Sequence, residues 1–599
     1  MKKQPQTILG STTKSIGDLL WLYKPYFKYG KLFVVLSLLF WCIIVPFAQM
    51  IGVYLPSAIV NMLDSGVSFS KIFISVIIMQ CILMFQPMYE DVFNLFCKNK
   101  TYSNIDAKLK KIVFEKSVKT DMKYIDDPVY YDKFSWAISQ YANKAQEVHG
   151  MINKIASTII TIISMLSIIA ILSPLAVVVT ILGTVLENIM YVYTNRYDVA
   201  QEEELVPINR RLGYCHRVFY ENKYAMDLKS TSVRLNLIRD FDEAQEKKIS
   251  ILKKYAKKMI PWSLAGNLTF YIARTFVILN IAYGIYTGRI ETVGTYLTMM
   301  VSVETLKNAM NEMFYYVKDA NRLSMYAKKI RAFFDTESII ETEQNTAKIF
   351  PNGRFDIKMK NVNFNYENSN FLLKNINLEI SQGEKVAIVG ENGVGKSTLV
   401  KLLMRFYDVS GGEILINNVN IKEYNLESLR KHIGVAFQHT NIYAMSMYDN
   451  LNVYDNGEID TSMLKSAGVE KILKKNNADI NSELTKEFDK SGIMLSGGEI
   501  QKIGIARLLS GDFGLLIFDE PSSALDPLAE HEMSELILSS SNYATTIIIA
   551  HRLSTIRNVD KIILISNGTV SEVGTHDELM VAKGKYFEMF SKQAENYIN

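Results

Sequence analysis

The chain has 599 residues, enough for several domains of roughly 150 residues each. Its 66 basic and 62 acidic side chains nearly balance at a net charge of +4, so charge alone indicates no nucleic-acid partner. The four cysteines form no CxxC pair and all lie in the first half, which argues against a zinc site or a disulfide framework.

The N-terminal residues 1–30 form the first segment. They hold no short apolar core followed by a small-residue cleavage site, so we predict no cleaved signal peptide. The apolar residues 19–23, followed by Tyr26 and Phe27 among lysines, suit a helix lying on a membrane surface. An ordinary amphipathic packing helix fits them equally well. We take residues 1–30 as a cytoplasmic elbow region.

Long apolar segments dominate the first 320 residues. A helix needs about 20 apolar residues to cross a hydrocarbon core about 30 Å thick. Six segments approach this length: 32–55, 72–96, 152–172, 175–193, 262–286 and 293–317. The second and the sixth contain polar residues and are the weaker predictions. Together they predict an all-α transmembrane domain of six helices over residues 31–335, in the plasma membrane.

The loops between these segments differ in charge. Residues 98–148 carry ten lysines and arginines and residues 196–260 carry fourteen, whereas the short turns on the other side carry almost none. Positive charge stays on the cytoplasmic side, so both long loops and both termini are expected there. Asp126-Asp127-Pro128 should interrupt the helix that extends from the membrane into the first long loop, because the residue before a proline avoids the helical region. We predict a short transverse helix beginning near Pro128.

The sequence changes character after residue 335. Residues 336–354 are polar, contain the turn signal Pro351-Asn352-Gly353, and are read as a linker. Residues 355–599 then alternate helical stretches with strand-like runs. The runs cover residues 385–389, 515–518, 546–550 and 561–566. This alternation predicts an α/β domain with a mostly parallel sheet.

One motif in this second domain indicates phosphate binding. Gly390-Glu391-Asn392-Gly393-Val394-Gly395-Lys396-Ser397 fits the pattern G-x-x-x-x-G-K-[ST], between a predicted strand and a helix that continues from Thr398. Glycines let the backbone N–H groups wrap the phosphates at the helix N-terminus. Lys396 is expected to reach the β- and γ-phosphates, and Ser397 to ligate Mg²⁺.

A second motif supplies two carboxylates. The apolar run 515–518 reads as a buried parallel strand and ends in Asp519 and Glu520. A carboxylate at the end of such a strand holds Mg²⁺ in phosphate-loop ATPases, which points to Asp519. Glu520 is then placed to orient or deprotonate the attacking water.

Residues 495–499, with the sequence LSGGE, resemble the signature motif of ATP-binding cassette (ABC) proteins. With the six preceding segments, nearly the whole chain resembles a half-size exporter of the bacterial multidrug, lipid and peptide exporter type. The resemblance implies ATP and Mg²⁺ as cofactors. It also implies a RecA-like phosphate-loop core with antiparallel β and helical subdomains over residues 355–599.

The resemblance assigns further residues one by one. Tyr366 matches the aromatic that stacks on adenine, Gln438 the glutamine that senses Mg²⁺ and water, and His551 the histidine that contacts the γ-phosphate. The remaining matches are Ser496, Gly497 and Gly498 in the signature and Ser523-Ala524-Leu525-Asp526 in the D-loop. Two positions depart from the usual pattern: Glu499 stands where glutamine is commoner, and His439 where an acidic residue is frequent.

The chain holds a single phosphate loop and a single signature, whereas the family binds ATP between the two motifs of different cassettes. A second half-transporter is therefore implied, with a homodimer favoured and a heterodimer possible. The resemblance also places docking segments for the cassettes at 126–134, with Tyr130, Tyr131 and Phe134, and at 221–229, with Tyr224.

The transported substrate is less constrained. The ionisable residues predicted within the membrane are Glu90, Asp91, Glu187, Arg274, Glu304, Lys307 and Glu312, with Asn188, Asn308 and Asn311 nearby. Five acids against two bases favour a cationic or amphipathic substrate. Internal pairing, such as Glu304 with Lys307, is the alternative.

We therefore expect an exporter that is driven by ATP hydrolysis and moves a small amphipathic molecule, a peptide or a lipid by alternating access. The alternatives are a lipid or lipid-linked flippase, a metal-chelate importer of the same fold, and a sensory ATPase that moves nothing.

Overall fold

A computed structural model describes residues 8–288, 293–340, 348–351, 353, 355–366, 372–454, 465, 467–521, 527–540 and 544–598. They form two compact units. The membrane unit joins Met1–Glu115 to Asp132–Asp335, and the cassette unit joins Lys116–Tyr131 to Thr336–Asn599.

Helices make up the part of the chain before the predicted linker. In chain order they are α1 (Ile8–Tyr29), α2 (Lys31–Asp64), α3 (Phe69–Val118), α4 (Met122–Ile125), α5 (Pro128–Leu172), α6 (Pro174–Tyr220), α7 (Ala225–Ser230), α8 (Val233–Tyr286) and α9 (Val293–Phe334). One-turn π segments interrupt α2 at Phe40–Ile44 and α3 at Asn94–Lys98.

Five of these helices are long and apolar enough to cross a membrane: α2, α3, α5, α6 and α8. Among the described residues, α9 does not meet this criterion, although it contains the sixth predicted segment. Its Glu304, Lys307 and Glu312 lower its hydropathy. Ser302 and Leu306 at its centre are fully buried, so neighbouring helices shield much of α9. A shielded helix needs less apolar surface than one that faces lipid.

The charged residues of α9 pair with other helices. Lys307 Nζ lies 3.8 Å from a carboxylate oxygen of the buried Glu187 on α6. Glu304 lies 3.6 Å from the guanidinium of Arg274 on α8. The alternative of internal pairing is therefore observed for these residues, although Glu304 and Lys307 do not pair with each other. Each of the two finds a partner of opposite charge on a separate helix.

The first long loop also differs from the prediction. The short helix is α4, which ends before Asp126, and Pro128 instead begins the 45-residue helix α5. Proline suits the first turn of a helix, where its missing N–H would have had no intrahelical acceptor. The backbone N–H groups of Tyr130 and Tyr131 donate to the Asp127 carbonyl, which starts the helical ladder.

In the second long loop a 3₁₀ turn, Asn222–Tyr224, leads into the short helix α7. Both lie at the segment predicted to dock. They separate the long helices α6 and α8, which pack against each other along the membrane unit.

The cassette unit is an α/β fold. Its strands are β1 (Ile357–Asn365), β2 (Leu372–Ile380), β3 (Lys385–Val389), β4 (Gly411–Ile416), β5 (Val419–Asn420), β6 (Ile433–Ala436), β7 (Leu515–Asp519), β8 (Thr545–Ile549), β9 (Lys561–Ser566) and β10 (Thr569–Gly574). Beyond α4, its helices are α10 (Lys396–Leu403), α11 (Leu426–Lys431), α12 (Met447–Leu451), α13 (Val469–Lys475), α14 (Gly497–Leu509), α15 (Pro527–Ser540), α16 (His576–Ala582) and α17 (Lys585–Ile598).

Within the described residues these strands form two sheets. The larger has the order β10-β9-β3-β8-β7-β6, parallel except for the β9–β10 hairpin, and the smaller has the antiparallel order β2-β1-β4-β5. The four predicted strands are confirmed as β3, β7, β8 and β9. Because β3, β7 and β8 are parallel neighbours, their carboxyl ends meet at one edge, where ligands bind in open α/β sheets.

Candidate functional site

The phosphate-loop motif follows β3 and leads into α10. Gly390 has φ +152°, and a Cβ there would lie 2.2 Å from the carbonyl oxygen of Ile565, so no side chain fits. Gly395, at φ +104°, is the N-cap of α10. The loop therefore turns sharply between strand and helix and brings backbone N–H groups to the helix N-terminus, where anions are stabilised.

Lys396 is buried beneath this loop. Its Nζ donates to the carbonyl oxygens of Gly390 and Glu391, each at 2.9 Å. Burial lowers the pKa of Lys396, while the carboxylates of Glu520 and Asp519 act in the opposite direction. The loop thus holds the ammonium group beside the N–H groups that would bind phosphate.

Ser397 and Asp519 offer oxygen ligands side by side. The Ser397 hydroxyl donates to Asp519 Oδ1 at 3.3 Å, and burial raises the pKa of Asp519. Hydroxyl and carboxylate oxygens suit Mg²⁺, which takes few ligands from a protein and completes its shell with phosphates and water. Among the described residues no group of three or more His, Cys, Asp or Glu side chains could hold a metal. The pair fits a nucleotide-bound Mg²⁺ rather than a metal caged by protein.

Glu520 is the centre of the three predicted catalytic residues. It follows β7 with φ +54°, and its backbone N–H donates to the Ile549 carbonyl at the end of β8. Gln438 Nε2 donates to Glu520 Oε2 at 2.7 Å, and His551 Nε2 pairs with Glu520 Oε1. The structure therefore brings Gln438, Glu520 and His551 together from the ends of β6, β7 and β8.

These side chains line a cavity of about 420 Å³. Asn392 of the phosphate loop contributes to the same wall, so the cavity adjoins the loop that would hold the phosphates. Arg552, also in the lining, pairs with the buried Glu530 of α15. The Glu520 carboxylate therefore faces the phosphate loop, with one oxygen bonded to Gln438 and the other paired with His551.

Tyr366, predicted to stack on adenine, lies at the other side of the phosphate loop. Its hydroxyl is 3.3 Å from Thr398 Oγ1 in the first turn of α10. Its ring packs edge-on against Tyr407, with centroids 5.3 Å apart. The ring is only partly buried, which leaves surface for a nucleobase.

The signature residues do not line the cavity. Ser496 caps α14, and Gly497 and Gly498 form its first turn. The Ser496 side chain accepts from the Glu499 N–H, and Glu499 accepts from the Ser496 N–H at 2.8 Å, which makes a capping box. Burial would raise the pKa of Glu499, but hydrogen bonds from Lys475 and Ser496 outweigh it and lower the pKa to about 2. The predicted D-loop, residues 523–526, lies outside the described residues.

Sequence reasoning missed the contacts of Asp126. Its carboxylate accepts a hydrogen bond from the Tyr407 hydroxyl and lies 3.6 Å from Lys401 Nζ of α10. Asp126 stood in a predicted docking segment, but the sequence carried no sign of its partners. Of the three aromatic residues predicted to dock in the segment 126–134, Tyr130 is buried, with its hydroxyl donating to Thr120, while Tyr131 is exposed and Phe134 packs near Phe333.

Comparisons with known proteins agree with this geometry. Residues 373–523 match the ABC transporter family. The subtilin transport ATP-binding protein SpaT of Bacillus subtilis is 26% identical over 573 residues, which span 94% of this chain and 92% of that protein. The putative multidrug export ATP-binding/permease protein YgaD of Bacillus subtilis strain 168 is 32% identical over 61% of this chain and 63% of its own length.

A solved structure of a bacterial Atm1-family ABC exporter with ATP bound is similar over nearly the full length. The TM-score is 0.72 at 22% sequence identity, covering 98% of this chain and 99% of that one. This likeness shows that the two chains share a fold. Residues 373–523 thus match the ABC transporter family, and nearly the whole chain is similar in sequence to SpaT and in fold to a half-size ABC exporter.

Proposed function

We propose that the chain is half of an exporter that moves a solute out of the cytoplasm at the expense of ATP. The observation that carries this proposal is the meeting of Gln438, Glu520 and His551 beside the phosphate loop. A protein that only bound nucleotide would not need a general base oriented by two further side chains. The relatives named for subtilin transport and multidrug export support export as the direction.

In the proposed mechanism the loop N–H groups and Lys396 bind the phosphates, and Tyr366 stacks on the base. Ser397, Asp519 and Gln438 would hold Mg²⁺, which when bound neutralises charge on the phosphate oxygens. Glu520 accepts a proton from the attacking water, since its oxygens lie at the cavity wall. His551 and Gln438 hold that carboxylate in place.

We propose two copies as the working assembly. Ser496, Gly497 and Gly498 are absent from the cavity of their own chain, so a partner's signature would cover the ATP held here. All these motifs are intact in this sequence, which favours a homodimer. The basic loops favour a cytoplasmic position for both termini and the cassette, and we propose the plasma membrane as the location of the helices.

The first test is the ATPase rate of the full chain in lipid nanodiscs, beside Glu520→Gln. Removing the proton acceptor should leave ATP binding intact and lower the hydrolysis rate by at least about 100-fold, the order that general bases contribute. A mutant rate close to that of the wild type would refute the assignment of Glu520 as the base.

Movement of solute separates export from the alternatives. Inside-out vesicles should take up substrate in the presence of ATP, and Glu520→Gln vesicles should not. Full ATPase activity without uptake of any solute would identify a sensory ATPase, and outward release from the same vesicles would identify an importer.

A further inference from the structure

The C-terminal helix α17 packs against the core of the cassette unit along one face. Tyr586, Phe590 and Gln593 follow the spacing i, i+4, i+7, which places them on the same side of the helix. Tyr586 is fully buried, and its ring packs against that of Phe590 with centroids 6.2 Å apart. Its hydroxyl lies 2.9 Å from Nδ1 of the buried His576. Gln593 therefore continues a core-facing row as a polar residue.

The start of α17 is fixed by Glu572 on β10. One carboxylate oxygen of Glu572 accepts from the backbone N–H of Lys585 at 2.6 Å, and the other accepts from that of Tyr586 at 3.1 Å. The first turn of a helix leaves such N–H groups without an intrahelical acceptor. The carboxylate supplies the missing acceptors, so α17 is anchored both at its first turn and along its core-facing side.

The side-chain amide of Gln593 bridges the segment that follows β8. Its Oε1 accepts from the backbone N–H of Leu553 at 2.9 Å, and its Nε2 donates to the carbonyl oxygen of His551 at 2.7 Å. Both lengths are normal for N–H···O hydrogen bonds. One side chain thus binds the backbone on both sides of Arg552.

The bridged segment carries His551, whose Nε2 pairs with Oε1 of Glu520. Strand β8 ends at Ile549, so His551 lies beyond the residues that the sheet holds in register. In the described part of the chain, Gln593 is not among the residues that line the cavity beside Glu520. Its route to the reaction therefore runs through the backbone of His551.

We propose that Gln593 is a positioning residue for ATP hydrolysis. By holding the His551 carbonyl and the Leu553 N–H, it determines where the His551 imidazole meets Glu520. A misplacement of about 1 Å can lower a catalysed rate by about 100-fold. The inference rests on the proposed function, in which His551 and Glu520 take part, and it adds a residue of the C-terminal helix to those that determine the rate.

The test uses steady-state ATPase kinetics of the full chain in lipid nanodiscs. Gln593→Met keeps the length of the side chain but removes both hydrogen bonds, because methionine has no donor and only a weak acceptor. We expect kcat to fall by about tenfold and the KM for ATP to change by less than about twofold. Lys396 and Tyr366 bind the nucleotide in the proposed mechanism, and neither belongs to the segment that Gln593 holds. A purely structural role would lower stability without this split between kcat and KM.

Further variants separate positioning from folding. Lys592→Ala, at the exposed neighbouring position, should keep the wild-type kcat. The double variant His551→Ala/Gln593→Met should be no slower than His551→Ala, because Gln593 acts through that residue. Gln593→Glu keeps the acceptor for the Leu553 N–H and lacks the donor to the His551 carbonyl. It should also lower kcat at unchanged KM, so it repeats the test if the methionine variant does not fold.

A wild-type kcat in Gln593→Met would overturn the inference, as would a further tenfold loss when that change is added to His551→Ala. Activity lost in Glu520→Gln would leave the proposed function standing in either case. An unchanged kcat in His551→Ala would instead count against the proposed function, and the positioning role of Gln593 would fall with it.

Discussion

Glu499, which departs from the usual signature residue, has a structural explanation. A capping box needs an acceptor at the third helical position that can reach back to the N-cap N–H, and both glutamate and glutamine can do so. Here Glu499 also pairs with Lys475 at 2.8 Å. The departure therefore preserves the start of α14 and adds an ion pair.

Replacing Glu499 tests this explanation. Glu499→Gln should keep the cap and leave the ATPase rate within about twofold, whereas Glu499→Ala should destabilise the protein by about 1 kcal/mol, as for a lost cap. Thermal unfolding in nanodiscs measures the stability of both variants, and a steady-state assay measures the ATPase rate. Equal melting temperatures for the alanine and glutamine variants would contradict the capping role.

The contribution of Glu499 to the stability of the fold depends on pH, and the direction of this dependence follows from its lowered pKa. The pKa of Glu499 is lowered from 4.5 to about 2, so its charged form stabilises the fold above pH 4.5. That stabilisation is lost as the pH falls from 4.5 towards 2. The melting-temperature difference between wild type and Glu499→Gln should thus stay constant from pH 6 to 8 and shrink below pH 4.5.

Single residues were predictable wherever a local motif defines their chemistry. The loop from Gly390 to Ser397, the pair Asp519–Glu520 and His551 follow from short patterns next to strands, and the structure places them around one sheet edge. The contacts of Asp126 were not predictable, because only the fold brings its carboxylate to Tyr407 and Lys401.

At the scale of elements, the loop between α4 and α5 contacts the nucleotide-binding part of the cassette unit. Asp126 binds Tyr407, whose ring contacts Tyr366, and Lys401 lies over both tyrosine rings at 5.5 and 5.7 Å. Burial and the hydrogen bond to Asp126 raise the pKa of Tyr407. The aromatic platform predicted for adenine is therefore supported by a residue from the first long loop.

Removing this support should loosen the platform. We expect Asp126→Asn to raise the KM for ATP by roughly threefold to tenfold, the effect of one weakened charged hydrogen bond, with kcat little changed. Tyr407→Phe, which keeps the ring, should show the same direction. Steady-state ATPase kinetics provide the measurement, with Glu413→Gln on β4 as an exposed control. A fall in kcat at unchanged KM would argue against a positioning role.

Elements were predictable to the extent that their patterns are local. Buried parallel strands read as continuous apolar runs, so β3, β7, β8 and β9 were found within one residue of their ends. The predicted helix start near Pro128 was right, since proline suits the first turn of a helix, but the predicted short length was wrong because the helix continues to Leu172. The prediction of a membrane span was weak for α9, because its sequence is partly polar. Neighbouring helices bury much of α9, and such burial is a tertiary property that the sequence does not show.

At the scale of the whole molecule, the separation of the signature from the cavity predicts complementation. Lys396→Ala should disable the phosphate loop, and Ser496→Arg should block the signature that covers a partner's ATP. Each variant alone should be inactive. A mixture of the two, co-assembled before reconstitution, should regain ATPase activity, because the heterodimer contains one intact composite site. An inactive mixture would mean that the two motifs do not act across chains.

The ion pairs of α9 also bear on how the protein is made. A chain synthesised from its N-terminus delivers Glu187 and Arg274 to the bilayer before Glu304 and Lys307 exist. Until α9 arrives, α6 and α8 each carry a charge without its counterpart. Helix α9 does not meet the criterion for a membrane-spanning helix. Its Glu304 and Lys307 pair with Arg274 and Glu187, which are already present in α8 and α6. We therefore expect α9 to insert as the bundle closes, and a nascent chain that stops before residue 293 would leave the charges of Glu187 and Arg274 uncompensated.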